Sequence, residues 1–149
     1  MNVSEVLKKE HIVTELNAKT KEEALSALTD VLCKTGNIAD REAFLKDVLD
    51  REAISTTGIG NGIAIPHGKS ENVAETTVAV GRLTSPVEWK SVDDNPVELI
   101  VLLAVNEKDK TGLHVKILSE MARKLASEQN CKKLLNAKNA DEIISIFSE

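Results

Sequence analysis

The chain has 149 residues, of which 42% are hydrophobic, 29% charged and only 2% aromatic, with a net charge of −5. A chain of this size buries roughly two-thirds of its unfolded surface and reads as one globular domain over residues 1–149. An acidic chain almost without stacking rings argues against nucleic acid as a partner, and the lack of a basic face argues against a membrane-surface role.

Met1 to Leu7 carries no charged-then-apolar leader, and Val3, Val6 and Leu7 read as an opening turn. His11 to Leu16 reads as the first strand, with His11 at its start as a solvent-edge histidine. Thr20-Lys21-Glu22-Glu23 is a capping box, in which the hydroxyl and the carboxylate satisfy backbone donors left over by the helix they open. Ala24, Leu25, Leu28, Val31 and Leu32 give that helix an apolar face, and Gly36 stops it. Cys33 and Cys131 are far apart, belong to no Cys-x-x-Cys pair and read as helix residues of a reducing cytoplasm. Asp40 caps a second helix with Phe44, Leu45, Val48 and Leu49 on its buried side. Arg51 leaves that helix close to the apolar face. It is either a phosphate-facing guanidinium or a cation favoured by the helix dipole.

Residues 57–69, Thr57-Gly58-Ile59-Gly60-Asn61-Gly62-Ile63-Ala64-Ile65-Pro66-His67-Gly68-Lys69, follow. Glycines alternate through the first half, a short β-prone run comes next, and a Pro-His-Gly corner follows that. Pro66 has a fixed φ and biases Ile65 to extended geometry, so His67 is expected at a rigid strand end, presented to solvent. A neutral imidazole beside glycine amides and a lysine is equipped to take up a phosphoryl group. The spacing fits neither the dinucleotide fingerprint nor the P-loop. The residues alone leave a phosphoryl site and a plain hairpin loop equally open.

Thr76 to Leu83 alternates like a strand with one covered face. Pro86-Val87-Glu88-Trp89 reads as a loop or short edge with the tryptophan as an anchor, and Asp93-Asp94-Asn95-Pro96 as a turn. Val97 to Val105 is a nearly continuous β-branched and aliphatic run. It includes the longest apolar stretch, Leu99 to Val105, which is far short of the ~20 residues of a membrane span. A strand apolar on both faces is central in its sheet, which implies a three-layer α/β/α sandwich with a mixed, mostly buried sheet. A charged connector ending at Thr111 or Gly112 opens a helix with His114, Ile117, Leu118, Met121 and Leu125 on one face. His114 is either a satisfied core-edge histidine or a second active-site imidazole, kept neutral by the helix dipole at the carboxyl end of the central strand. Asn130 to Ala137 reads as a short helix. Asn139-Ala140-Asp141-Glu142 caps a last one, with Ile143, Ile144 and Phe147 inward.

The three histidines form no metal-binding cluster, and no Gly-x-Ser-x-Gly elbow points to a hydrolase.

The segment Gly58 to Lys69 closely resembles the active-site stretch of the fructose/mannitol class of IIA components in the bacterial phosphoenolpyruvate-dependent sugar phosphotransferase system. An arginine ahead of that stretch, Arg51, and a His-x-x-x-Leu-x-x-x-Ala pattern at His114, Leu118 and Ala122 extend the resemblance over nearly the whole chain. Val115 departs from the leucine often seen there. The resemblance implies a cytoplasmic phosphocarrier in which His67 takes a phosphoryl group from phospho-HPr, holds it as tele-phosphohistidine and passes it to a IIB cysteine. Arg51, His114 and the amides of Gly58, Gly60, Gly62 and Gly68 would stabilise the group, with no metal and no cofactor. Fructose is the first expectation for the sugar and mannitol the second, and a monomer is expected. Two alternatives stand beside it: a nitrogen-type regulatory IIA protein that signals by phosphorylation-dependent binding, and a nucleotide- or anion-binding module without transfer.

Overall fold

A computed structural model describes residues 3–148; Met1, Asn2 and Glu149 lie outside the described residues. A 3-10 turn at Val3–Glu5 leads into β1 (Leu7–Leu16), α1 (Lys21–Lys34) and α2 (Arg41–Ile54). β2 (Gly58–Gly60), β3 (Ile63–Ala64) and β4 (His67–Ser70) follow, then the long strands β5 (Thr77–Val87) and β6 (Val97–Asn106). Three helices close the chain: α3 (Leu113–Leu125), α4 (Glu128–Leu135) and α5 (Ala140–Ser148).

The sheet runs β1-β5-β6-β3-β2, with β4 also paired to β6. β1 is parallel to β5, β5 antiparallel to β6, and β3 and β4 parallel to β6. β6 is therefore central, as its sequence requires. Leu99, Val101, Leu103 and Val105 pack with α3, α4 and α5, while Ile100, Leu102 and Ala104 pack with α1 and α2. Alternate residues of one strand thus feed two separate cores, which makes the three layers. β5 behaves the same way. Val78 and Val80 face one core, and Ala79 and Leu83 the other, so the strand read as covered on one face is covered on both.

The helix caps follow from local chemistry. Thr20 Oγ1 accepts the Glu23 N–H at 3.1 Å, Asp40 Oδ1 the Ala43 N–H at 3.1 Å, and Asn139 Oδ1 the Glu142 N–H at 3.0 Å. The returning carboxylates reach one residue further back than a strict capping box. Glu23 accepts from the Lys19 N–H at 2.8 Å, and Glu142 from the Lys138 N–H at 2.7 Å. The first strand starts at Leu7, earlier than its sequence suggests. His11 is no solvent-edge residue: it is 2% exposed, with Nε2 2.8 Å from Thr35 Oγ1 and Nδ1 3.3 Å from Thr77 Oγ1. A threonine on α1's exit and another on β5 satisfy the ring in place of water.

Two features position the site. β3 and β4 run end to end along the same flank of β6, interrupted by Ile65-Pro66, whose Pro66 carbonyl accepts the Leu103 N–H at 3.0 Å. The exit from β6 leads through Asn106–Gly112 into α3, so the first turn of α3 lies at the carboxyl end of the central strand.

Candidate active site

His67 opens β4 opposite Leu103, and Gly68 follows opposite Ala104. The segment continues as a strand after Pro66 and does not turn outward, so His67 is half-buried where solvent presentation was expected. Gly68 is what lets it lie flat. A Cβ there would sit 2.7 Å from Val48 Cγ2 and 3.1 Å from Phe44 Cε1 on α2. His67 Nδ1 lies 3.4 Å from the Ile65 carbonyl oxygen. A carbonyl only accepts, so Nδ1 carries the proton and the lone pair is left on Nε2. Burial pushes the imidazole below its ordinary pKa of 6.5. The Ile65 carbonyl and Glu52 pull it back up, and Arg51 and His114 push it further down. Arg51, Glu52 and His114 are thus the charged and titratable neighbours that act on His67.

Arg51 sits in the last turn of α2, half-buried, and its Nη1 donates to the Ser55 carbonyl at 3.0 Å and approaches Ser55 Oγ at 3.4 Å. No ion pair with a carboxylate occupies it among the described residues. His114 lies in the first turn of α3, whose N-cap is Gly112 with φ of 77° and no capping side chain. Its Nδ1 is buried without a hydrogen-bond partner among the described residues. The reading of His114 as a satisfied core-edge residue therefore fails at that nitrogen. A buried polar atom left unpaired is costly, and here it belongs to a ring close enough to act on His67.

The glycines divide. Asn61 and Gly62 have φ of 57° and 81°, the pair of positive values that a two-residue type I′ hairpin turn requires, and they join β2 to β3. Ile63 lies opposite Leu99 and His67 opposite Leu103, four residues along β6, which puts that turn about 13 Å or more from the imidazole. Carboxylates surround it: Asp93 Oδ2 takes the Asn61 N–H at 3.1 Å, and a Cβ on Gly60 or Gly62 would lie 3.3 Å from Asp93 or Glu98 oxygen. The structure does not bring Gly60 and Gly62 to His67, and an acidic turn is no cradle for phosphate. Gly58 is nearer but serves packing: a Cβ would fall 2.3 Å from Ser91 Oγ, and its N–H bonds to Thr56 Oγ1 at 3.1 Å.

Sequence reasoning missed Glu52. Phe44, Val48 and Glu52 are the buried residues of α2, each four apart, so the spacing itself points Glu52 inward. Its carboxylate accepts the Thr57 N–H at 3.0 Å and the Thr57 hydroxyl, and pairs with Lys21 Nζ at 3.3 Å.

The whole chain has known relatives. Residues 5–149 match the family model described as "Phosphoenolpyruvate-dependent sugar phosphotransferase system, EIIA 2". The chain belongs to that EIIA type-2 family. It is 36% identical over 149 residues to the "PTS system fructose-specific EIIABC component" of Bacillus subtilis (strain 168), covering 100% of this chain but only 23% of that much longer relative. The fold of this EIIA chain superposes on the nitrogen regulatory protein IIA-Ntr of Neisseria meningitidis with a TM-score of 0.89 at 29% identity, covering 97% of this chain and 98% of that one. It also matches the IIA fold in the complex of enzyme IIAMTL and phosphorylated enzyme IIBMTL from Escherichia coli, with a TM-score of 0.80 at 24% identity, covering 95% and 98% of the two chains. No helix of this EIIA chain is long and apolar enough to cross a membrane among the described residues, nor do these contain a group of three His, Cys, Asp or Glu able to hold a metal ion.

Proposed function

We propose that this EIIA chain is a cytoplasmic phosphocarrier of sugar uptake, in which His67 takes a phosphoryl group from phospho-HPr and hands it to a IIB cysteine. The observation that carries this reading is the pairing of a His67 Nε2 free to attack with a neighbouring His114 whose buried Nδ1 has no partner among the described residues. In the first step the Nε2 lone pair attacks phosphorus in line, the new N–P bond forms, and the donor's bond to phosphorus breaks. Little covalent chemistry is asked of the protein beyond placement and charge. Arg51 supplies N–H groups and positive charge for the three phosphoryl oxygens, and His114 an N–H group. In the second step a IIB thiolate attacks the same phosphorus, and the electron pair of the N–P bond returns to Nε2.

The surroundings suit a protein donor and a protein acceptor. Among the described residues, four large hydrophobic side chains are exposed. Ile54 ends α2 beyond Arg51, Ile59 is on β2, Val92 bonds through its N–H to the Gly58 carbonyl at 3.1 Å, and Val115 follows His114. Exposed apolar side chains such as Ile54 and Val115, close in the chain to Arg51 and His114, suit a docking surface for a partner protein. The relative named as fructose-specific makes fructose the first sugar to test and mannitol the second. The chain is proposed to act as a monomer, since the helices already bury their apolar stripes on the sheet.

Intact-mass analysis after incubation with phosphoenolpyruvate, enzyme I and HPr tests the reading. One acid-labile phosphate on the wild type and none on His67→Ala is the expected result. An unmodified wild type overturns it, and modification of both proteins moves the nucleophile elsewhere. The likeness to IIA-Ntr supports a second reading, a regulator that is phosphorylated at the same residue and signals by protein binding. Transfer from the phosphorylated chain to a sugar IIB domain separates the two, because a regulator fails to transfer.

A further inference from the structure

Glu52 is a side chain for which stability alone gives a poor account. Its side chain is 4% exposed and that of Lys21, its counter-ion, 20% exposed. A buried ion pair contributes little net stability, because desolvation of both charges cancels most of the attraction. What the pair does hold is one residue. Both carboxylate oxygens close on Thr57, one on its N–H and one on its hydroxyl. The Trp89 indole N–H donates to the same hydroxyl oxygen at 3.4 Å, so the threonine proton is left to point at Glu52. Lys21 is fixed in turn over the Trp89 ring, 5.0 Å from its centroid.

Thr57 is held so that its own carbonyl accepts the Ile65 N–H at 3.0 Å. On the other side of residue 65, the Ile65 carbonyl faces His67 Nδ1 at 3.4 Å. Four residues therefore make a chain of contacts from the α2 carboxylate to the imidazole: Glu52, Thr57, Ile65 and His67. A carbonyl kept at Nδ1 makes Nδ1–H the favoured tautomer and leaves the Nε2 lone pair for attack.

We infer that Glu52 is a positioning residue for His67, acting through Thr57 and the Ile65 carbonyl to fix the imidazole tautomer with Nε2 bare. The inference rests on the phosphocarrier reading for its consequence in rate but not for its structural content. Glu52 touches no reacting atom. Its contribution is to hold the attacking nitrogen free and aimed, and small misplacements of a nucleophile are costly.

The experiment compares wild type, Glu52→Gln and Thr57→Val by two readouts. The first is the 15N chemical shifts of the His67 ring, which separate the two tautomers in the absence of any donor. The second is the rate of phosphorylation by phosphoenolpyruvate, enzyme I and HPr. Glu52→Gln presents an amide where two donors converge, and Thr57→Val removes only the hydroxyl. Both are expected to move the ring from Nδ1–H to a mixture of tautomers and to slow phosphorylation on the order of tenfold to hundredfold. Thr57→Ser, which keeps the hydroxyl, is expected to restore both. An unchanged tautomer in a folded Glu52→Gln or Thr57→Val protein overturns the inference, whatever the rate. If Glu52→Gln does not fold, Thr57→Val alone decides. If the wild type shows the Nδ1–H tautomer, with the expected shift in the variants, but takes up no phosphate, the positioning role stands and the carrier reading falls.

Discussion

At the scale of single residues, the site sets two imidazoles under opposite constraints. His67 has its Nδ1 engaged and its pKa pushed down, chiefly by burial and further by Arg51 and His114. In the proposed phosphocarrier the neutral ring is the nucleophile, so a lowered pKa would keep His67 competent through pH 6.5 and somewhat below. An NMR titration of the His67 ring C–H protons is expected to show a midpoint below 6.5. In Arg51→Met the midpoint rises, because one of the charges that lowers it is gone. A midpoint that ignores Arg51 would place the guanidinium too far away to meet a phosphoryl group on His67. His114 poses the reverse case, with a buried nitrogen that has no hydrogen-bond partner among the described residues. An unsatisfied buried group costs about 1–3 kcal/mol, so its removal need not destabilise. His114→Ala is expected to leave the urea midpoint level or slightly higher while phosphorylation slows about tenfold or more, as for a lost stabilising donor. A fall in stability with no loss of rate would make His114 a structural residue.

At the scale of elements, β4 depends on α2. The strand that carries His67 lies against Val48 and Phe44 with no room for a side chain at Gly68. Gly68→Ala is expected to cost about 1–3 kcal/mol through overpacking, read as a lower urea midpoint. Adding Val48→Ala is expected to cost less than the sum of the two single changes, since the new methyl enters the space vacated. Full additivity would show that the two residues do not meet. Elements like these were legible in the sequence where their signals are local. The Thr20, Asp40 and Asn139 caps and the doubly apolar β6 run could be read directly from neighbouring residues. What was not legible depended on distant partners. His11 looked exposed because it stood at the start of the strand read from the sequence, while the threonine that buries its Nδ1 comes 66 positions later in the chain. The glycine run looked like a phosphate cradle because its spacing says nothing of Asp93 and Glu98, which fold onto the turn. The Asn61-Gly62 pair was the better guide there, as a hairpin signal. His67, Arg51 and His114 could be singled out through helix position and family likeness, whereas Glu52 went unread although its spacing from Phe44 and Val48 marked it as buried.

At the scale of the whole molecule, burial of histidine ties stability to pH. His11 and His67 both have pKa values lowered from 6.5, with desolvation the largest cause in each. For His11 the nearby Glu10 opposes the shift and Lys8 adds to it. The ring is packed between the α1 exit and β5, where the Leu32 carbonyl lies 3.1 Å from Thr35 Oγ1 and the Val6 carbonyl 3.0 Å from Thr77 Oγ1. While the ring is neutral, one of the two hydroxyls gives its single proton to the bare ring nitrogen instead of to its carbonyl. The unfolded chain protonates these rings near pH 6.5, and the folded chain does so only at lower pH. Between those limits the unfolded state binds more protons, so stability falls as pH falls, and above 6.5 the two rings contribute no slope. Asp93 and Asp109 open a second window. Their carboxyls are held below 3.8 by hydrogen bonds from Asn95 and Asn61 in one case and Thr111 in the other, so their contribution is lost only at stronger acidity. Urea unfolding just above and just below pH 6.5 therefore isolates the histidines. Wild type is expected to lose stability across that interval. His11→Gln, which keeps a polar group for the two threonines but takes up no proton, is expected to show a shallower loss than wild type. A slope identical in the two proteins would mean that the fold accepts the proton on His11, with both threonine oxygens turned to receive its N–H groups, and that burial there carries no pH dependence.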